Sequence, residues 1–392
     1  MQINKIIGEV KDKNILLLQG PMGSYFNTLD KRFSNDGANT YRIGFNAGDE
    51  YFAQANHYTG YKDVKENWNN FIYEYFIKYK INKLFVFGDC RFYQSTAIKV
   101  AKENNIEIYV FEEGYIRPNF ITLEKHGVNA NSIQPKNREF YDNLDLKEFP
   151  LHAEKKFPST FNKMAREAIT YYWIANLLSN KYPYYEHHRC FSLWKEYKAG
   201  CLNIFRKYKY KVTERGFNDK FKTTLSKMYY LVPLQTHGDF QILEHSSYRS
   251  IEEFIKEVLT SFSKNAQKDK FIVFKHHPVD RGRKNHAKYI KNIAYNLGIK
   301  DRVIITWDVH LPTCLKNAIG TIIINSTVGL SSLYHKTPTI CLGDAIYDIE
   351  GLTTISSIDQ FWENYTEVDV ELFKKYRRYL INTTQVNSNF YL

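Results

Sequence analysis

Apolar runs of four to six residues, rich in β-branched and aromatic side chains, recur along the chain. Each is followed by a polar or glycine-bearing stretch and then by a segment of helical spacing. In the first third this pattern predicts strands at 14–19, 40–45, 83–87 and 107–111. Helices are predicted to about residue 36, from about 64 to 80, and to about 104. The rhythm returns with strands at 229–234, 271–274, 302–306, 321–324 and 337–342, and helices at 250–263, 285–297 and 311–317. Residues 361–380 predict a closing helix. Alternation of strand and helix means parallel sheets with helices on both faces. The expected fold class is therefore α/β, with two Rossmann-like domains facing a cleft.

The strand rhythm stops between residues 137 and 222, where helices are expected at 160–179 and 191–206 around an irregular aromatic stretch at 182–188. The chain thus divides into 1–136, a central helical insertion at 137–222, a second domain at 223–355 and a C-terminal helical segment at 356–392. A length of 392 residues fits two or three domains.

Composition narrows the partners. The formal net charge is +12, dispersed, with a local excess from Lys195 to Lys222. Nucleic acid, anionic lipid headgroups and anionic sugar nucleotides all suit it. No basic tail, zinc finger or RNA-recognition signature is present, so nucleic acid ranks third and is not expected as a partner. The 31 tyrosines and 27 phenylalanines fill cores or face carbohydrate and lipid. Five scattered cysteines without a CxxC pair indicate neither a disulfide framework nor structural zinc, and suit a reducing cytosol. The first residues have no apolar signal region, and no apolar run approaches the ~20 residues that span a bilayer, so membrane contact is expected to be peripheral. No HExxH or EF-hand loop occurs. His187 and His188 are adjacent, and His276 and His277 lack an acidic partner motif, so no metal is expected.

The candidate chemistry sits just past the strands, where open α/β sheets bind ligands. Lys275-His276-His277-Pro278 suits an anion such as a nucleotide phosphate, or else caps a strand that faces water. Asn325-Ser326-Thr327-Val328-Gly329 opens a short helix, as a cap or as the other side of the same anion site. Glu112 and Glu113 end a buried strand, and alternation points them to opposite faces. One is placed to be a nucleophile or base, or both belong to a capping cluster with Arg117. Gln19 and Gly20 begin a glycine-bordered turn that is not a Walker motif. Asp89 and Arg91 follow the third strand, where Asp89 caps the next helix or faces the cleft. His237 and Asp239 share a loop where an acid/base can stand, and Asp344, Tyr347 and Asp348 follow the last strand.

Together these motifs resemble the capsule polysaccharide biosynthesis/export proteins of the KpsS/LipB type. The resemblance is carried by Gln19-Gly20-Pro21 with Phe45-Asn46-Ala47-Gly48-Asp49, Phe87-Gly88-Asp89-Cys90-Arg91, and Phe111-Glu112-Glu113-Gly114-Tyr115 with Arg117-Pro118. It continues in Val232-Pro233-Leu234-Gln235 with Asp239-Phe240-Gln241, in Lys275-His276-His277-Pro278, and in Asn325-Ser326-Thr327-Val328-Gly329-Leu330. It implies a GT-B-like arrangement and a retaining β-Kdo glycosyltransferase using CMP-Kdo, with no other cofactor. The acceptor implied is a phosphatidylglycerol-type lipid at the cytoplasmic face of the inner membrane, where the product starts the capsule linker alongside other capsule biosynthesis and export proteins.

Under the resemblance residues 1–136 are the acceptor domain, with Gln19, Gly20, Asp89 and Arg91 on the acceptor side, and 223–355 the nucleotide-sugar domain. Glu113 is the expected nucleophile, with Glu112 the alternative, and Asp239 the acid/base. Arg117 would meet the Kdo carboxylate. Lys275, His276, His277, Asn325, Ser326 and Thr327 would hold the donor, His277 being the stronger histidine and His276 directed there or into the core. Lys195, Lys198, Arg206, Lys207, Lys209 and Lys211, set among aromatics, would rest on an anionic leaflet or simply face solvent. The alternatives are a non-catalytic capsule assembly or export subunit, or a GT-B-like transferase using another nucleotide sugar.

Overall fold

The computed structural model describes residues 2–55, 57–151, 153–186 and 193–392. His187, His188 and the expected helix start at 191 lie outside the described residues. The strands are β1 (Asn14–Leu18), β2 (Asn39–Gly44), β3 (Tyr58–Gly60), β4 (Lys83–Phe87), β5 (Glu107–Glu113), β6 (Phe120–Lys125), β7 (Tyr229–Pro233), β8 (Phe271–Lys275), β9 (Val303–Thr306), β10 (Gly320–Ile323), β11 (Thr339–Cys341) and β12 (Gln385–Asn387). They form two α/β sheets in two compact units.

The first unit comprises Met1–Ile133, Phe149–Leu193 and Tyr379–Leu392. Its sheet runs β12-β6-β5-β4-β1-β2-β3, parallel from β5 to β3. The strands bury both faces. Leu16, Leu18, Ile108 and Val110 join the helices Trp68–Lys78 and Phe92–Glu103 in one core. Ile15, Leu17, Tyr109 and Phe111 join the helices Gln2–Ile7 and Tyr25–Asn35, with Val386 and Phe390, in the other. Helices on both faces of a parallel sheet make this half Rossmann-like.

The second unit comprises Gln134–Glu148 and Trp194–Arg378, around an all-parallel sheet ordered β11-β10-β7-β8-β9. The helix Ile251–Asn265 shows how such a layer forms. Ser250 caps it by accepting from the Glu253 amide, and Phe254, Ile255, Val258, Leu259 and Phe262 make one buried stripe. Each such side chain contributes roughly 1.5–3 kcal/mol when buried.

Every strand expected from the pattern is present to within one or two residues. Three are additional. β3 and β12 have three residues each, too few for a period of two to register. β6 is antiparallel to β5 and β12 antiparallel to β6. The β5–β6 turn depends on Gly114, where a Cβ would stand 2.0 Å from the Phe120 carbonyl oxygen. The compact units also divide the chain differently from the four sequence segments. Residues 137–222 contribute to both, the helix Phe161–Leu177 to the first and Leu193–Thr213 almost wholly to the second. Of the C-terminal segment, Tyr379–Leu392 returns to the first unit, where β12 completes its sheet, and the part before it stays with the second.

Candidate functional site

In the first unit β5 carries its two carboxylates to the strand end on opposite faces. Tyr109 and Phe111 lie in one core and Ile108 and Val110 in the other, so Glu113 follows the former and Glu112 the latter. Glu113 is half-exposed, with its carboxylate 4.0 Å from the Arg117 guanidinium, and Arg117 also donates through Nε to the Gly114 carbonyl at 3.2 Å. Glu112 accepts from the Glu113 amide at 2.9 Å. Burial pushes Glu112 up to about 7; the Glu113 and Asp89 charges add to the rise, and the Glu113 amide and Arg91 oppose it.

Asp89 does neither of the two things its position suggested. The following helix has Arg91 at its N-cap and no side-chain cap. Asp89 is buried and instead accepts from the Val128 amide at 2.9 Å and from Asn131 at 3.2 Å, tying the loop after β6 to the end of β4. Gly88, at φ +71°, makes the turn that permits this. Arg91 lies over the Phe87 ring and near Glu112.

Gln19 and Gly20 are held from within. Gly20 is pressed against Phe26, where a Cβ would lie 2.5 Å from the ring. Gln19 is buried, accepts from Gln94 at 3.0 Å and donates to Asp49 at 3.0 Å. Asp49 gathers further donors: the Phe45 amide at 2.8 Å, Asn46 at 3.1 Å and the Tyr171 hydroxyl at 2.8 Å. Burial raises its pKa, opposed by the Phe45 amide, the Tyr171 and Gln19 hydrogen bonds and the Arg42 charge. The motif Phe45-Asn46-Ala47-Gly48-Asp49 is therefore the hub of a polar network at the ends of β1 and β2, and Asp49 itself was not singled out by the sequence.

In the second unit the end of β8 is anchored rather than open. Lys275 is buried and donates to the Trp307 carbonyl at 3.3 Å, and burial lowers its pKa. His276 is 2% exposed. Its Nε2 accepts from the His286 amide at 3.1 Å, and its ring lies 4.9 Å from Trp307 at 17° and 5.9 Å from His286 at 26°. Burial pushes it down to about 3. It is thus a neutral interior side chain, and not at the surface where a nucleotide would meet it. His277 accepts from the Val279 amide at 3.2 Å and starts the turn Pro278–Gly282.

Asn325 is likewise consumed internally: its Oδ1 accepts from Gln235 at 3.0 Å and its amide donates to the Gln241 and His245 carbonyls. Ser326 accepts from the Val328 amide at 3.3 Å, and Thr327 is the N-cap of the helix Val328–Tyr334 without a side-chain cap bond. Gly329 allows the Tyr347 ring to close on this turn, and the Tyr347 hydroxyl donates to the Ser326 carbonyl. Asp239 spends one oxygen on the Gln241 amide at 3.0 Å and the other on Gln235 at 3.2 Å. On the same loop His237 is held by the buried Asp280, its Nδ1 at 2.6 Å and its amide at 3.0 Å.

The structure therefore brings Gln235, Asp239 and Asn325 into one hydrogen-bonded group, and His237 and Asp280 into another. It also reveals a group at the end of β9 that pattern reasoning missed. Glu214 accepts the Trp307 and Asp308 amides at 2.8 Å each, Arg281 pairs with Asp308 at 2.6 Å, and Tyr210 stacks on Trp307 at 4.4 Å and 9°. The signal was the Trp307-Asp308 pair directly after a strand. Among the described residues, no group of three or more His, Cys, Asp or Glu is placed to hold a metal, and no helix is long and apolar enough to cross a membrane.

Residues 82–391 match the family model described as capsule polysaccharide biosynthesis protein. A capsule polysaccharide export protein KpsS of Escherichia coli is 37% identical over 391 residues, covering 100% of both chains. A capsule polysaccharide modification protein LipB of Neisseria meningitidis serogroup B is 38% identical, over 97% of this chain and 92% of that one. Among solved structures, the β-Kdo 2,7 transferase KpsC of Thermosulfurimonas dismutans aligns with 93% of this chain and 89% of its own, at 16% identity and a TM-score of 0.40.

Proposed function

The chain belongs to the capsule polysaccharide biosynthesis protein family, and on that premise we propose that it is a retaining β-Kdo glycosyltransferase. It transfers Kdo from CMP-Kdo to a phosphatidylglycerol-type lipid and so begins the capsule linker. The observation that carries this reading is the end of β5, where two adjacent carboxylates differ in environment: Glu113 half-exposed beside Arg117, Glu112 pushed up to about 7 by burial. Because the two lie on opposite faces, only one can serve a given site, and half-exposed Glu113, beside the Arg117 guanidinium, suits the nucleophile of a two-displacement transfer.

Glu113 attacks the anomeric carbon, the bond to the CMP phosphate breaks, and a glycosyl ester forms. Arg117 meets the Kdo carboxylate. Ser326, Thr327 and His277 are the groups offered to the departing phosphate, while Lys275, buried on the Trp307 carbonyl, serves the fold. The acceptor hydroxyl then displaces Glu113 and gives up its proton. Asp239 has both oxygens engaged, so we assign that proton to His237, whose Nδ1 is oriented by Asp280 and whose ring is 40% exposed. The lipid acceptor sets the place of action at the inner membrane, beside other capsule proteins. No metal enters this scheme.

Purified protein incubated with CMP-Kdo generated in place and a fluorescent phosphatidylglycerol should yield a Kdo-bearing lipid, and Glu113→Gln should yield none. Product from both would move the nucleophile to Glu112. No product from folded wild type with active donor would favour another nucleotide sugar or a non-catalytic assembly role.

A further inference from the structure

The helix Leu193–Thr213 is built inside out. Its buried or half-buried positions, which recur at helical spacing, are largely polar, and each is engaged within the second unit. Glu196 pairs with Arg283. The backbone at Ala199 and Asn203 closes on Gly282, where a Cβ would meet the Ala199 carbonyl at 1.9 Å. Arg206 donates to the Arg281 carbonyl at 2.6 Å, Tyr210 stacks on Trp307, and Glu214 just beyond accepts two amides. The opposite side carries Trp194, Tyr197, Ile204, Phe205, Tyr208 and Val212, each 62–73% exposed. At about 100° per residue these six cluster roughly 180° from the inward stripe. A helix facing solvent would place its residues the other way round.

Charge names the occupant. Lys195, Lys198, Lys207, Lys209 and Lys211 are exposed and flank the apolar line on both sides, while Glu196, the acidic residue within the helix, is turned inward onto Arg283. An apolar ridge edged by long cationic side chains matches an anionic bilayer surface, where the ridge enters the acyl boundary and the lysines reach the headgroups. We propose that the outward face of Leu193–Thr213 is a membrane-docking face for anionic lipid. It stands whether or not the chain transfers Kdo, and it assigns the docking to the exposed Trp/Tyr/Ile/Phe/Val line with the lysines as its rim.

The test is flotation with vesicles of phosphatidylcholine alone and of phosphatidylcholine mixed with phosphatidylserine, an anionic lipid outside the acceptor class. Wild type should float with the mixed vesicles and not with phosphatidylcholine. Phe205→Glu/Tyr208→Glu, exposed changes that leave the fold intact, should lower vesicle partitioning roughly tenfold or more. Lys207→Gln/Lys211→Gln should weaken it and reduce its salt dependence. Glu113→Gln should float like wild type, so docking and catalysis fail separately. No flotation of wild type, or flotation unchanged by Phe205→Glu/Tyr208→Glu, would overturn the proposal. So would a wild-type dimer that this variant converts to monomer without any vesicle binding, which would give the face to a second copy of the chain.

Discussion

His276 should make the second unit sensitive to acid. Its folded pKa is pushed down to about 3 by burial, against an ordinary imidazole value of 6.5. Because the folded value is depressed, the unfolded chain binds a proton first as pH falls. Stability from this group is therefore nearly complete above about pH 7, declines as pH drops through 6.5, and is lost as pH falls on through about 3. Between pH 7 and 5 the unfolded imidazole takes up about three-quarters of a proton and the folded one almost none, which costs about 2 kcal/mol. By pH 3 the cost reaches about 4 kcal/mol. The perturbation to compare is His276→Gln, which keeps an acceptor for the His286 amide but cannot titrate. Hydrogen exchange of peptides from β8 and β9, at matched pH, reads the opening free energy in both chains. At pH 8 wild type should be the better protected, since the variant loses the stack on Trp307. Its advantage should shrink by about 2 kcal/mol on going to pH 5. His286, also lowered by burial, is present in both chains and cancels to first order. Parallel loss of protection in the two proteins would refute the assignment of His276 as a buried neutral side chain.

The end of β5 should respond to pH in the opposite sense. Glu112 is raised to about 7, so the folded state holds its proton longer, and protection of β5 and β6 should fall as pH rises from about 5 through 7; Glu112→Gln should flatten that fall, seen by the same exchange measurement. Asp49→Ala leaves the Phe45 amide, Gln19, Asn46 and Tyr171 without their common acceptor, and should cost the first unit about 2–4 kcal/mol, read as a lower denaturant midpoint. Gly114→Ala adds only a methyl, yet it drives that methyl into the Phe120 carbonyl and should destabilise the β5–β6 turn by about 1–3 kcal/mol or more while abolishing transfer, as measured with the fluorescent lipid.

The strands that position the candidate site were legible because a parallel strand buried on both faces is a short, nearly unbroken apolar run, as in Asn14–Leu18 and Tyr229–Pro233. β6 was missed because its FITLEK sequence puts Glu124 inside, where Tyr115 donates to it at 2.6 Å, so the carboxylate disguised a buried position. The opposite faces of Glu112 and Glu113 follow from a period of two and needed no coordinates. The fate of Asp89, Asn325 and Asp239 did need them, because each is satisfied by a group from an element distant in sequence or by a backbone amide that pattern does not reveal. His276 and His277 show the same limit within two adjacent residues: alternation separates them, but only packing decides that His276 lies between Trp307 and His286.

β12 has a consequence for synthesis. The first sheet begins with residue 14, yet the strand that covers the edge of β6 is residues 385–387. While the ribosome is still making the whole second unit, β6 presents an uncovered edge of backbone donors and acceptors, and the core around Phe111 lacks Val386 and Phe390. An open edge of this kind invites pairing with another nascent chain. The period of greatest exposure should therefore be set by translation time, and slowing elongation downstream of residue 125 should increase aggregation of the newly made protein more than lowering its folded stability by a comparable amount.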